Sequence, residues 1–218
     1  MFANVFMKIN NVMDLLKKIS CVSIIIGFTF YQGVAQSSED TLGFKNMILV
    51  SGGKFIMGEP GQFKNPAHGV RLNDFYIGKY EVTVDEFTQF INETGYITVA
   101  EKMLKEKRSP AVSALKGKEL IWSDKATWRN PGFKQQLEEP VICITWSDAV
   151  AYCNWLSKKH GLTPAYTIND SYDFMTWPND WNTSRMNVRV KCNLNNGFRL
   201  PTAAEWEYSA QGGTKTQN

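Results

Sequence analysis

The sequence predicts an α+β fold with little regular secondary structure, on three observations. Short apolar runs of strand length appear early in the globular part, and three short segments carry helix-capping residues. Long irregular stretches rich in Trp, Asn, Asp, Pro and Gly separate these elements. The 218 residues are 43% apolar and 21% charged, which is enough for the core of one domain, and the net charge of +3 gives no indication of nucleic-acid binding.

The first 35 residues are predicted to be a signal peptide. Lys17 and Lys18 precede the apolar run 19–31, and Ala35 ends a group of small residues at which a peptidase can cut. The run is shorter than the ~20 residues that a membrane-spanning helix needs, so a retained membrane anchor is the minor alternative. We therefore expect a periplasmic or secreted protein whose mature chain begins with a flexible lead over residues 36–45.

The first strands are predicted on both sides of a glycine pair. Met47–Val50 and 54–58 are apolar runs separated by Ser-Gly-Gly at 51–53. This pattern is typical of a hairpin, because glycine accepts the positive φ of a tight turn. A third strand is predicted over residues 70–80, with a bulge at residues 73–74 (Asn-Asp).

Two helices are predicted from capping boxes, in which a Thr hydroxyl and a Glu carboxylate satisfy the free amides of the first turn. A glycine follows the apolar positions of each segment and marks its end. The boxes pair Thr83 with Glu86 and Thr202 with Glu205, and the glycines are Gly95 and the pair Gly212 and Gly213.

A third helix is predicted over residues 147–159, between the other two. Ser147 is the expected N-cap, and Gly161 follows the end of the segment. Trp146 and Trp155 are adjacent to this helix and are expected to contribute to the core. The buried face of the helix is expected to contain Ala149, Val150, Cys153 and Leu156.

Two stretches, residues 98–140 and 162–197, are predicted to be irregular. Loops of this length in a compact domain are either functional or held down by buried aromatic residues. Packing is the expected role of their tryptophans, and a ligand surface over 166–181 is the alternative. The tryptophans available for packing are Trp122, Trp128, Trp177 and Trp181.

We assign no catalytic, cofactor-binding or metal-binding residue, because each candidate has a structural explanation. Arg199 precedes a capped helix and is expected to tie loops together rather than to bind substrate. Glu205 is the partner of a capping threonine, and Glu207, two positions on, does not face it, so a carboxylate pair for acid–base chemistry is not expected. His68 lies beside a strand and is expected to be a hydrogen-bonded structural residue rather than a base.

Beyond the predicted signal peptide the cysteines are Cys143, Cys153 and Cys192. An odd number means that one thiol stays free or pairs outside this chain. No two of them have the C-x-x-C spacing of zinc sites, so metal binding is not indicated. Cys143 and Cys192 are expected to behave as small apolar residues or to form a local bridge.

Three long motifs occur in order along the chain. They read FIMGEPGQFKNPAHGVRLNDFYIGKYEVTVDEFTQFINETGY, PVICITWSDAVAYCNWLSKKHGL and NGFRLPTAAEWEYSAQGG. The region from about Met47 to Gly213 thereby resembles the domain of the formylglycine-generating enzyme, or sulfatase-modifying factor, family. The resemblance implies a fold related to the C-type lectin-like folds, with residues 46–218 as the N-terminal part of the domain. It also implies that the cysteine matching Cys153 forms a disulfide to the later half of the domain in some members.

The resemblance has functional implications for complete family members. It implies an oxygen-dependent oxidase that generates formylglycine from a sulfatase cysteine, with copper and calcium bound in the later half. Motifs of that half, around Gly-Asn-Val-Trp-Glu-Trp and Arg-Gly-Gly-Ser, do not occur here. We therefore expect a truncated member that lacks the catalytic region and has no cofactor of its own. The alternative is a non-catalytic extracytoplasmic binding or surface-assembly protein with the same fold.

Overall fold

A computed structural model describes residues 6–7, 46–61, 63, 65–107, 112–116, 119–123, 125–168, 190–193 and 196–212. Over these ranges helices and strands are mixed, as the α+β prediction requires, and no helix there is long and apolar enough to cross a membrane. The helices are α1 (Val84–Thr94), α2 (Val99–Lys105), α3 (Trp146–Lys159) and α4 (Ala203–Ala210). The strands are β1 (Phe6–Met7), β2 (Met47–Val50), β3 (Gly53–Met57), β4 (His68–Leu72), β5 (Phe75–Gly78), β6 (Val112–Lys116), β7 (Glu119–Ser123), β8 (Tyr166–Ile168), β9 (Val190–Cys192) and β10 (Phe198–Arg199).

The predicted hairpin at the glycine pair is wrong, because the chain does not turn there. β2 pairs with β5 and β3 pairs with β4, and the antiparallel register continues from one pair to the next, so that Val50 lies opposite Phe75 and Gly53 opposite Leu72. The predicted third strand is correspondingly split at residues 73–74 into β4 and β5. The result is one long two-stranded ribbon with a break in the middle.

Gly52 is required at this break for space rather than for a turn. Its φ is not positive, but a Cβ atom there would lie 2.3 Å from the carbonyl oxygen of Leu72. Its amide donates to Asp74 Oδ1 at 2.8 Å, which holds the two halves of the ribbon together where the ladder is interrupted.

β2 forms one edge of a four-stranded sheet with the order β10-β1-β5-β2. β1 pairs with both β5 and β10, in antiparallel fashion. Its two residues belong to the predicted signal peptide, and the rest of residues 1–35 lies outside the described residues. Export therefore stays a prediction.

The two capping boxes predicted at Thr83 and Thr202 are confirmed, and Gly95 ends α1 with a φ of 65°. The predicted N-cap of α3 is wrong by two residues. The cap is Thr145, whose side chain accepts from the amide of Asp148 while the Asp148 carboxylate accepts from the amide of Thr145. Ser147 instead lies buried inside the first turn.

The stretch 98–140 contains more regular structure than predicted. Thr98 and Glu101 form a further capping box that begins α2, and β6 and β7 form an antiparallel hairpin. Trp128 is only 3% exposed and packs edge-on against Phe87, as expected for a residue that holds down a loop. Trp177 and Trp181 lie outside the described residues, as does the side chain of Trp122.

Two clusters of buried apolar residues form the core. The larger lies between α1 and α3 and includes Phe87, Val150 and Phe198, all fully buried. The smaller lies between the ribbon and α4, where Tyr208 packs against Phe55 with ring centroids 5.1 Å apart. Aromatic pairs at such distances add to the free energy gained from burial itself.

Candidate functional site

The arginine of the third motif forms a buried, bidentate ion pair. Arg199 Nη1 and Nη2 donate to the two carboxylate oxygens of Glu205 at 2.8 and 2.6 Å, and Nη1 also donates to the carbonyl of Leu200. Burial raises the pKa of Glu205, but hydrogen bonds from Arg199 and Thr202 outweigh it and leave the pKa below its usual value. These contacts anchor the start of α4 to β10, which is the structural role expected for both residues.

Glu207 has separate partners and does not face Glu205. Its Oε1 accepts from the amide of Gly58 at 2.8 Å and from Gln211 Nε2 at 3.2 Å. The carboxylate thus fastens α4 to the far end of the ribbon, and the two glutamates do not form an acid–base pair.

His68 and the two tryptophans of α3 complete the residues singled out from sequence. The Nδ1 atom of His68 lies 2.8 Å from the carbonyl of Pro66 on the exposed end of β4. Trp155 packs against the larger cluster and donates to Glu93 Oε2 at 2.9 Å. Trp146 does not belong to the core, contrary to expectation, because 44% of it is exposed and its ring only meets the edge of Tyr166.

A buried carboxylate that was not predicted from the sequence joins α2 to α3. Asp148 is fully buried, and its Oδ1 accepts from the amide of Val99 and the hydroxyl of Tyr96, both at 3.0 Å. Its Oδ2 accepts from the amide and hydroxyl of Thr145. Burial raises the pKa of Asp148, although these hydrogen bonds oppose the shift. The signal was present as Thr-x-x-Asp, a variant of the capping box.

The three cysteines beyond the predicted signal peptide are in the thiol form in the structure. Cys153 is fully buried on α3, Cys143 is half-buried with a φ of 57°, and Cys192 is exposed at the end of β9. Burial raises the pKa of each thiol. The thiolate is the reactive form, so this environment does not activate any of them as a nucleophile.

The described residues do not fit the copper and calcium that the resemblance implies for complete family members. Within the described ranges no three His, Cys, Asp or Glu side chains are grouped as metal ligands. Copper in its reduced state prefers thiolates, whereas burial keeps these thiols protonated. Calcium prefers carboxylates, but Asp148 and Glu205 already serve as helix caps.

A groove beside β2 is the candidate functional site. It has a volume of about 670 Å³, within the range of about 300–1,000 Å³ typical of ligand sites. Its floor is the buried ring of Tyr208, whose hydroxyl donates to the carbonyl of Ser51 at 3.0 Å. Its walls come from β2, from the end of β5 and from α4, and include Ile48, Leu49, Ile77, Lys79 and Trp206.

The walls of the groove include exposed apolar side chains. Ile48 and Leu49 point to opposite faces of β2, yet they are 46% and 55% exposed, so neither face is covered at the centre of the strand. Trp206 on α4 is 53% exposed. Among the strands that the structure describes, β2 pairs only with β5, so its outer edge offers unpaired backbone groups. The sequence did not predict this edge, because a continuous apolar run does not reveal which side of a strand is paired.

The profile of one protein family, described as the sulfatase-modifying factor enzyme 1-like domain, matches residues 32–218. The chain is 34% identical over 185 residues to a protein named chaperone protein LppX from Paenibacillus barcinonensis, covering 84% of this chain and 51% of the relative. It is 30% identical over 192 residues to the formylglycine-generating enzyme of Bos taurus, covering 78% and 41%. It is 28% identical over 194 residues to the inactive C-alpha-formylglycine-generating enzyme 2 of the same organism, covering 79% and 50%.

The chain therefore spans about half the length of the curated relatives that it matches. The match to the family covers the ribbon, all four helices and the groove. By this match and by its three motifs, the chain belongs to the family of the sulfatase-modifying factor enzyme 1-like domain.

Proposed function

We propose that this chain is an exported member of its family that binds an extended polypeptide segment in the groove beside β2. The observation that carries the proposal is the combination of two features: an edge of β2 that pairs with none of the described strands, and the exposed side chains of Leu49 and Trp206. A peptide strand that adds to a sheet edge gains affinity from backbone hydrogen bonds and specificity from pockets for alternate side chains. Tryptophan is also enriched among the residues that contribute most to binding energy.

The groove favours a particular kind of peptide. Its apolar wall formed by Leu49 and Trp206 suits large apolar side chains at alternate positions, because successive side chains of a strand point to opposite faces. Lys79 and Glu81 also line the groove and provide one charge of each sign for polar side chains or a peptide terminus. A segment that alternates apolar and polar residues fits this arrangement.

For the whole protein, two functions remain as proposals. Binding without catalysis, as in a surface assembly, is supported by the groove and by the names of the relatives called a chaperone and an inactive enzyme. Formylglycine generation on a sulfatase cysteine is supported by the relative named formylglycine-generating enzyme. In both cases we propose that the described residues act as scaffold and binding surface, in a fold related to the C-type lectin-like folds. Copper and calcium belong only to the catalytic proposal.

A peptide-binding assay with a matched pair of variants tests the proposal. A fluorescently labelled ten-residue peptide of alternating apolar and polar residues is titrated with the full chain, and a peptide of the same composition in block order is the control. Leu49→Lys is compared with Leu137→Lys, since both leucines are 55% exposed and only Leu49 lines the groove. We expect at least about a tenfold loss of affinity for Leu49→Lys, equivalent to ~1.4 kcal/mol, and no loss for Leu137→Lys. Equal behaviour of the two variants contradicts the proposal.

Incubation with a cysteine-containing sulfatase peptide separates the two functions. The aldehyde of formylglycine is detected by hydrazine capture and mass spectrometry, with oxygen and copper supplied. We expect these 218 residues to give no aldehyde, because the cysteine side chains beyond the predicted signal peptide are held as protonated thiols by burial. Aldehyde above the level of a heat-denatured control contradicts the scaffold role and favours an oxidase.

A further inference from the structure

The two faces of the strand pair β3 and β4 differ in exposure. Side chains alternate between the faces of each strand. The inner face belongs to the smaller buried cluster, where Phe55 packs on Tyr208 with ring centroids 5.1 Å apart. The outer face carries Lys54 and Ile56 of β3 and Arg71 of β4, and all three side chains are exposed. The inner face thus stabilises the fold, whereas the outer face is open to a partner.

Two cations face each other on the outer face. Lys54 lies directly opposite Arg71 in the antiparallel register, and neither has an acidic partner among the described residues. Like charges in directly opposed positions destabilise a strand pair. From Lys54 to Arg71 the sequence contains three lysines and arginines but only one carboxylate, that of Glu59. The outer face therefore carries positive charge that an anionic partner would neutralise.

Two apolar side chains lie beyond the cations, towards the end of the ribbon. Ile56 is 60% exposed, and the residue opposite it is Gly69, which has no side chain to cover it. A Cβ atom at Gly69 would meet no described residue within 4 Å apart from its chain neighbours, so this part of the face is open. Phe63, in the loop between the two strands, is 98% exposed. We call Lys54, Arg71, Ile56 and Phe63 the ribbon tip.

The cations and the apolar side chains of the ribbon tip occupy successive levels along the ribbon. Ile56 lies two residues past Lys54, and a strand rises about 3.4 Å per residue, so the two positions are about 7 Å apart. The interfacial layer of a bilayer is about 5–7 Å thick on each side of the hydrocarbon core. Cations at the level of the phosphates would thus place Ile56 and Phe63 at the edge of the hydrocarbon.

We propose that the ribbon tip docks the protein on an anionic membrane surface, with its cations against the lipid phosphates and its apolar side chains inserted beneath them. Binding at a membrane surface increases with the apolar area buried and with the attraction of cations to anionic lipids. An acidic polypeptide would neutralise Lys54 and Arg71 but would leave Phe63 without a role. A membrane is therefore the partner that uses the whole surface.

This surface is separate from the groove beside β2. None of the four residues of the ribbon tip lines that groove. Membrane docking and peptide binding can therefore be tested independently, and the failure of one leaves the other standing.

Vesicle sedimentation with the full chain tests the role of the cations. Vesicles of phosphatidylcholine alone are compared with vesicles that also contain phosphatidylglycerol. Each cation near an anionic surface strengthens binding about fivefold, so we expect Lys54→Gln/Arg71→Gln to bind the anionic vesicles at least about tenfold more weakly than wild type. The control Lys125→Gln/Lys134→Gln has the same net charge but changes two exposed lysines between β7 and α3, so it should bind almost as wild type does.

A second matched pair tests the apolar part. Phe63→Ser should weaken binding to the anionic vesicles by at least about fivefold, because less apolar area is then buried in lipid. Phe133→Ser, at a position that is 40% exposed, should not weaken it. The apolar run 19–31 is common to all variants, so these comparisons isolate the ribbon tip.

Three results overturn the proposal. The first is equal binding of wild type to the neutral and the anionic vesicles, and the second is equal binding by ribbon-tip and control variants. The third is full binding by Phe63→Ser together with a loss for Lys54→Gln/Arg71→Gln, which would indicate an acidic partner rather than a membrane. Circular dichroism of each variant checks that these exposed substitutions leave the fold intact.

Discussion

The two apolar regions of the molecule differ in how completely they are covered. Between α1 and α3, Phe87 and Val150 have no exposed surface, and Trp128, which is 3% exposed, belongs to the same cluster. Beside β2, by contrast, Leu49 and Trp206 are each more than half exposed, although Tyr208 beneath them is buried. The first region is a buried core, whereas the second is an exposed apolar surface above the buried Tyr208.

This difference separates the region that stabilises the fold from the region that we propose to bind a peptide. The closed region contains the buried carboxylate of Asp148, whose hydrogen bonds to the amides of Val99 and Thr145 join two helices. In the open region, the outer edge of β2 has no partner among the described strands, and its apolar side chains are exposed. Contiguous exposed apolar surface of this kind marks binding sites in soluble proteins. Substitutions should therefore cost stability in the first region and binding in the second.

The largest expected effect comes from truncating an aromatic residue in each region. Phe87→Ala should reduce the free energy of unfolding by about 3–5 kcal/mol, because it removes a buried ring and leaves a cavity. Trp206→Ala removes a larger ring but should change it by less than about 0.5 kcal/mol, because that ring is half exposed. Urea unfolding followed by circular dichroism measures both, and similar losses would remove the distinction between the regions.

The next effect concerns Asp148 and its dependence on pH. Asp148→Asn should cost about 1–3 kcal/mol, because the buried amides and hydroxyls lose an acceptor. Burial raises the pKa of Asp148 in the folded state, so the folded protein holds this proton more tightly than the unfolded chain. The stabilising contribution is complete below the ordinary carboxyl pKa of about 3.9 and is lost as pH rises through the folded value. The difference in the free energy of unfolding between wild type and Asp148→Asn should thus shrink as pH rises.

Glu205→Gln provides the comparison with opposite sign. The folded-state pKa of Glu205 is lowered, since the bonds from Arg199 and Thr202 outweigh burial. Its contribution is present above the ordinary carboxyl pKa of about 4.3 and is lost as pH falls through the folded value. As pH rises from acid to neutral, the free energies of unfolding of wild type and Glu205→Gln should therefore diverge, whereas those of wild type and Asp148→Asn should converge. Parallel trends for the two variants would contradict the assignments.

A smaller effect distinguishes the two candidate caps of α3. Thr145→Ala should cost about 1 kcal/mol, the usual value for a lost N-cap. Ser147→Ala should be nearly neutral, since alanine fits a buried position inside a helical turn. Thermal unfolding of both variants checks the assignment, and a larger loss for Ser147→Ala would restore the cap predicted from sequence.

Local capping patterns could be predicted from the sequence because they depend on residues three positions apart. Thr83 and Thr202 were assigned this way, and the same pattern at Thr98 would have located α2. The structural roles of Arg199 and Glu205 are also local, because an arginine just before a capped helix lies within reach of the capping carboxylate six positions later.

Features that depend on distant parts of the chain could not be predicted. Gly52 is a turn residue by composition, but its role is set by the carbonyl of Leu72, twenty residues later. Trp146 is a core residue by composition, but its ring contacts Tyr166 only in an edge-on arrangement and is 44% exposed. The groove is a further example. Whether β2 is an edge strand depends on its distant partners, and among the described strands it pairs only with β5.

Amide hydrogen exchange, with and without the alternating peptide, tests the central claim most directly. In the free protein we expect the amides of β2 to exchange much faster than those of α3, because β2 lies at a sheet edge and α3 lies against a closed core. The peptide should slow exchange in β2 and around Trp206 and leave α3 unchanged. Equal protection of β2 and α3 in the free protein, or protection by the peptide only at other sites, would contradict the account.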